Sequence, residues 1–330
     1  MNKDFNSVIK NAQELLEDKE WVSQYKSYAE AMSVNVDFIS KKRKNFREWE
    51  PLYFYINTTQ AKDSCKKLVL DVRYMGQNVA KITCDNNNRV TISTKGFDDT
   101  NRQNFNYDKP LNNVEWKDAK DAKEFLKFFK DRDRVRTSDK KRNEEHNIES
   151  MLITEFSRCS GKKKPLRGIQ PVKFAGKIRF AMPTVFSASD HNKLRVASKY
   201  KGGSIDILAR VSARLCVIEV KDKNDPSETP EAALQQAVEY TVFIRELLRS
   251  EAGPCWWKLL GFTRQIPAPG KLTLYAACAM PTREPEKKDD ESFDGMRFNI
   301  DGDSIECHYI YFSLDKSSLQ PFKTSFLQER

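Results

Sequence analysis

The stretch SIDILARVSARLCVIEVKDKN, residues 204–224, constrains the fold more than any other part of the chain. Two apolar runs, ILARV and RLCVIEV, flank Ser212-Ala213, which is the pattern of a β-hairpin. With those two residues as the turn, Val211 faces Arg214 and Asp206 faces Glu219. Side chains on a strand alternate, so Glu219 and Lys221 share one face with Asp206, while Ile207, Ala209, Val211, Cys216, Ile218 and Val220 line the other. Ser-Ala is not a preferred loop pair. A longer or bulged loop would shift the pairing to Asp206 by one or two residues and would leave Glu219 and Lys221 together.

An isolated Glu-x-Lys is ordinarily the polar face of an exposed edge strand. The upstream carboxylate supports a different reading. Two carboxylates a few ångströms apart repel unless a cation lies between them, and hard oxygen ligands suit Mg²⁺, with Mn²⁺ as a substitute. Such a site suits phosphodiester hydrolysis: the cation neutralises charge on the phosphoryl oxygens, and a nearby lysine orients the attacking water or stabilises that charge.

The rest of the chain supplies context. Its 330 residues are enough for two domains, expected at 1–140 and 141–330. The first is read as a smaller α+β domain. Phe5, Val8, Ile9, Ala12, Leu15, Leu16, Trp21, Val22, Tyr25 and Tyr28 recur at helical spacing and predict two amphipathic helices. PLYFYINT, KKLVLDVRYM, NVAKITC and RVTIST read as antiparallel strands with turns at MGQN and DNNN, and WKDAKDAKEFLKFFK reads as a closing helix. Residues 131–147, DRDRVRTSDKKRNEEHN, are a charged linker or a solvated helix start. The second domain reads helix, short strands, hairpin, long helix, then the apolar strand KLTLYAACAMP in a central position, and closing strands at MRFNI and ECHYIYFSL.

The formal charge of +10 is compatible with a polyanionic partner, and no apolar run approaches the roughly 18 residues of a membrane span. The N-terminus has no secretory pattern, so a cytoplasmic location is expected. The seven cysteines never form CxxC and read as reduced packing residues. The three histidines, 146, 191 and 308, are isolated in sequence, and none is given a catalytic role.

Asp206, twelve residues, then Glu219-Val-Lys221 resembles the PD-(D/E)XK signature of restriction-endonuclease-like nucleases. The surrounding residues fit the same family. NIESMLITEF offers Glu149 as the acidic residue of the preceding helix, with Glu145 one turn earlier as the alternative. The helix after the site reads Gln236-Ala-Val-Glu-Tyr240, similar to the QxxxY of the RecB-like branch, with Gln236 and Tyr240 on one face and Gln235 as the competitor if the helix is rotated. Thr229-Pro230 is a suitable N-cap and first-turn pair for it. No proline precedes Asp206, and the resemblance spans about residues 145–282.

The resemblance implies an α/β, restriction-endonuclease-like mixed sheet flanked by helices. It also implies a Mg²⁺-dependent nuclease in which Asp206, Glu219 and Glu149 hold the metal, Lys221 supports the attacking water, and Gln236 and Tyr240 orient substrate. DNA is the expected substrate ahead of RNA, in a restriction or anti-phage role, with a homodimer as one possible assembly through the N-terminal helices. The alternatives are a catalytically silent nucleic-acid-binding module, or a nuclease subunit that needs a partner such as a translocase; the chain itself has no GxxxxGK[ST]. The basic segments KKRK, 41–44, and GKKKPLR, 161–167, are candidates for phosphate contact. Trp256 and Trp257 are expected to pack in a core rather than to stack on a base.

Overall fold

The computed structural model describes residues 4–41, 49–56, 68–85, 89–94, 105, 107–116, 119–134, 144–157, 168–174, 178–187, 202–222, 229–282, 289–315 and 318–327. Most of KKRK, all of GKKKPLR, most of the charged linker, and His191 lie outside the described residues. In chain order the elements begin with α1 (Phe5–Leu15) and α2 (Glu20–Lys41), then β1 (Tyr53–Ile56), β2 (Leu68–Tyr74), β3 (Gln77–Cys84), β4 (Val90–Ser93) and β5 (Val114–Glu115). Next come α3 (Lys120–Arg134), α4 (Glu144–Ser157), β6 (Ile169–Pro171), β7 (Arg179–Phe180), β8 (Met182–Ser187), β9 (Gly202–Ile205), β10 (Ile207–Val211) and β11 (Arg214–Val220). The chain continues with α5 (Pro230–Arg249), α6 (Gly253–Leu259), β12 (Thr273–Pro281), β13 (Arg297–Ile300), β14 (Asp303–Asp315), β15 (Ser318–Thr324) and a short 3-10 turn at Ser325–Leu327.

These elements fall into two units. One comprises residues 1–29, 151–172 and 182–330; the other comprises 30–150 and 173–181. The grouping differs from a single division at 140, for reasons visible in the contacts. Phe5 packs at a tilt on Phe293 and stacks on Phe298, and Trp21 and Tyr25 pack on Phe243, so the N-terminal helices join the C-terminal elements. Conversely, β7 pairs in parallel with β1, which carries 173–181 into the other unit.

The unit of 30–150 and 173–181 is built on a sheet of order β5-β4-β3-β2-β1-β7. Alternate residues of β2, Leu68, Leu70, Val72 and Tyr74, are buried, as the period-two pattern requires. Phe125 and Phe129 of α3 meet Tyr107 and Tyr74 in an aromatic core. The turn predicted at MGQN forms with Met75 and Gly76 at φ 48° and 76°. A Cβ at Gly76 would lie 2.4 Å from the carbonyl oxygen of His146, so only glycine fits there.

The other unit holds a sheet of order β13-β14-β12-β11-β10-β6, with β15 also on β14. The predicted hairpin forms in the predicted register: Ile207 faces Ile218 and Val211 faces Arg214. Ser212 takes φ 56°, which turns the chain at an otherwise poorly suited Ser-Ala pair. From there β11 pairs in parallel with β12, and β12 with β14. The crossover from β11 to β12 passes through α5, which packs on both strands and on β14, the arrangement parallel pairing demands. The apolar run of β12 is buried along its length, in the central position expected. Trp256 is fully buried and donates its indole N–H to Tyr25 O at 3.0 Å, while Trp257 stacks on Phe262 at 3.8 Å, so both serve packing.

The chain is therefore of mixed α/β construction, with mixed sheets flanked by helices. Among the described residues no helix is long and apolar enough to cross a membrane. The five described cysteines carry free thiols.

Candidate functional site

The site residues of the larger unit arise from a break in regular structure. Asp206 sits at a bend between β9 and β10, where the chain leaves one pairing and enters another. Its Oδ2 accepts the backbone N–H of Val220 at 2.8 Å, so the carboxylate takes over where the hairpin ladder ends. Val220 lies between Glu219 and Lys221, and this bond sets Asp206 beside both. A carboxylate oxygen of Asp206 and one of Glu219 lie within 4.8 Å of each other.

Glu219 and Lys221 are not on an exposed edge. β11 runs between β10 and β12, and the two residues are 2% and 3% exposed. Lys221 Nζ donates to Glu219 Oε1 at 2.9 Å, and the Lys221 backbone N–H donates to Ala279 O at 2.9 Å, which fixes the residue against β12. Leu215 and Val217, on the same face of β11 as Glu219, are 1% exposed each. The charged face of the hairpin is thus a covered face, because a parallel strand order buries both sides of the sheet. Burying charges is costly, and it is tolerated where they are paired and bonded.

α5 brings the next two residues. Its N-cap is Thr229, whose hydroxyl accepts from Ala232 N at 3.1 Å, and Pro230 occupies the first turn, as predicted. Gln236 donates its amide to the Tyr240 hydroxyl at 3.1 Å, while Gln235 reaches back to Glu231. The buried Tyr240 phenol is held well above its usual range, first by burial, then by the charge of Glu219 and, more weakly, of Asp206; the Gln236 bond acts the other way. The phenol therefore senses both carboxylates, and Asp206, Glu219, Lys221, Gln236 and Tyr240 belong to one electrostatic neighbourhood.

The far half of α5 is anchored by a network that the sequence reading missed. Arg249 binds Asp303 at 2.6 and 2.8 Å, Arg245 binds it at 3.1 Å, and the N–H groups of Gly270 and Leu272 donate to it. The available signal was the i, i+4 arginine pair, Arg245 and Arg249, in the largely apolar second half of the helix, followed much later by Asp-Gly-Asp.

Glu145 and Glu149 stand on the first half of α4, in the other unit. Glu149 is 6% exposed, and its Oε2 lies 3.4 Å from His146 Nδ1, the bond that chiefly raises the affinity of that ring for a proton. It also acts on the buried Tyr55 phenol, which is held up first by burial and pulled down by Arg179. Arg179 is itself buried, lies 3.7 Å from the Tyr53 ring centre, and donates to Ser150 O at 3.2 Å. Glu149 is therefore part of a polar cluster inside its own unit.

No protein-family model, no curated protein and no solved structure matches this chain.

Proposed function

We propose that the chain is a metal-dependent nuclease of the restriction-endonuclease-like class, acting on nucleic acid and on DNA in preference to RNA. The observation that carries the reading is the buried Glu219–Lys221 pair on an internal strand, with the Asp206 carboxylate bonded to the amide between them. A merely structural ion pair has no need of a second carboxylate within 4.8 Å. The donor set consists of carboxylate oxygens, which fits Mg²⁺ or Mn²⁺ and not a soft metal.

Asp206 and Glu219 would hold the cation. When bound, the cation supplies charge neutralisation at the phosphoryl group. Lys221, held by Glu219, orients the attacking water and stabilises the charge on the phosphoryl oxygens. Gln236 and Tyr240 form a hydrogen-bonded pair that positions substrate at the edge of the site, with Tyr240 remaining a neutral donor.

Titration with Mn²⁺, followed by calorimetry, tests the assignment. Binding should be lost in Asp206→Asn and in Glu219→Gln. Equal binding by wild type and Asp206→Asn would show that the carboxylates are not ligands.

A further inference from the structure

The Lys221 ammonium already lies against a carboxylate that the proposed reaction assigns to the metal. It donates to Glu219 Oε1 at 2.9 Å. The backbone around it is fixed on both sides: the Lys221 N–H donates to Ala279 O of β12 at 2.9 Å, and the Val220 N–H, one residue earlier, donates to Asp206 Oδ2 at 2.8 Å. Glu219 and Lys221 are both buried, so solvent and salt screen the pair little and its charges act on one another far more strongly than they would in water.

The two carboxylates are held by donors of different kinds. The bond on Asp206 Oδ2 comes from a neutral amide and does not oppose a cation, since a carboxylate keeps further lone pairs for a ligand. The bond on Glu219 comes from a full positive charge. An ammonium and a divalent cation repel each other at one buried carboxylate. Loading the site therefore has two costs: Glu219 gives up its bond to Lys221, and the ammonium is left buried beside a second cation. A phosphodiester removes the second cost, because its anionic oxygens offer Lys221 Nζ a new charge-assisted acceptor.

Resting on the metal-dependent reading above, we propose that Lys221 is the resident counter-cation of Glu219, which keeps metal affinity low in the absence of substrate and couples metal loading to the arrival of a phosphodiester. Lys221 passes from the carboxylate to the phosphate as Glu219 turns to the metal. By linkage, metal and phosphodiester each raise the affinity for the other by the same factor. A site of this kind is loaded on its substrate and not ahead of it.

Calorimetric titration of the full chain with Mn²⁺, in excess sodium dimethyl phosphate and in sodium chloride of the same concentration, tests the coupling. Dimethyl phosphate is a minimal phosphodiester monoanion that hydrolyses too slowly to be consumed. Wild type should bind Mn²⁺ about tenfold more tightly with dimethyl phosphate than with chloride. Lys221→Met should bind Mn²⁺ about tenfold more tightly than wild type in chloride, and dimethyl phosphate should add nothing further. Equal Mn²⁺ affinity of wild type in the two salts overturns the proposal, and that comparison needs no variant to fold. So does an affinity in folded Lys221→Met that is equal to or below that of wild type. Where wild-type Mn²⁺ binding is present and disappears in Asp206→Asn, either result removes the coupling and leaves the metal-dependent reading standing. An absence of Mn²⁺ binding by wild type in both salts removes both.

Discussion

Replacing Lys221 by methionine keeps most of the side-chain volume and removes the ammonium 2.9 Å from Glu219. Both residues are almost fully buried, so solvent screens little of the loss. Deleting one partner of a buried pair costs about 3–5 kcal/mol, because a buried charge loses its compensation. Replacing both, as Glu219→Gln with Lys221→Met, removes the charge as well as its partner, and should recover about 2 kcal/mol relative to Lys221→Met. A divalent cation held by Glu219 and Asp206 would compensate the same charge. The stability of Lys221→Met should then depend more on metal than that of wild type, where binding at a hundredfold excess over Kd contributes about 2.7 kcal/mol. Urea unfolding of the four proteins of the cycle, each with EDTA and with Mg²⁺, reads all three quantities. If Lys221→Met lies within about 0.5 kcal/mol of wild type in EDTA, the pair is not buried as described and the reasoning fails.

Further outcomes follow from other parts of the molecule. Thr229→Ala removes the α5 cap and should cost about 1 kcal/mol in urea unfolding, while Thr229→Ser should cost little. Gly76→Ala adds a Cβ that meets the His146 carbonyl at 2.4 Å at a φ of 76°, and should lower stability by about 2 kcal/mol or more. For Asp303, burial pushes the carboxyl up, but its bonds from Arg249, Leu272 N–H and Arg245 outweigh that and hold it below the usual range. A depressed carboxyl stabilises the fold above its unfolded value, near pH 4, and that contribution disappears as pH falls through the lower folded value. Asp303→Asn should therefore be less stable than wild type at neutral pH, with the gap closing in acid unfolding curves.

Local features were legible in the sequence. The hairpin of β10 and β11 followed from alternation and a short turn, and its register held because Ser212 accepts a left-handed φ. The cap and first turn of α5 were readable for the same reason: every group involved lies within a few residues. What stayed hidden depends on long-range pairing. Nothing near RLCVIEV announces that β12, more than fifty residues on, lies alongside it, so the burial of Glu219 and Lys221 could not be read from their alternation. The short strands of IQPVKFAGKIRFAMPTVF go to three different sheets, which no local pattern separates. β15 was missed because it contains Pro321; a strand paired on one side tolerates proline. Asp301-Gly302, both at positive φ, make the tight β13–β14 turn, a signal that was present but unused. Phe5, Val8, Ile9 and Ala12 of α1 are buried, and α1 packs on α5, a long-range pairing that its helical period alone did not name.

The most direct measurement of the central claim is cleavage of supercoiled plasmid, linear duplex, single-stranded DNA and RNA in Mg²⁺, Mn²⁺ or EDTA, with wild type beside Asp206→Ala and Lys221→Ala. The account predicts cutting of DNA that needs the metal and is lost in both variants. Undiminished cutting by Asp206→Ala, or nucleic-acid binding by wild type without cleavage in either metal, would contradict it.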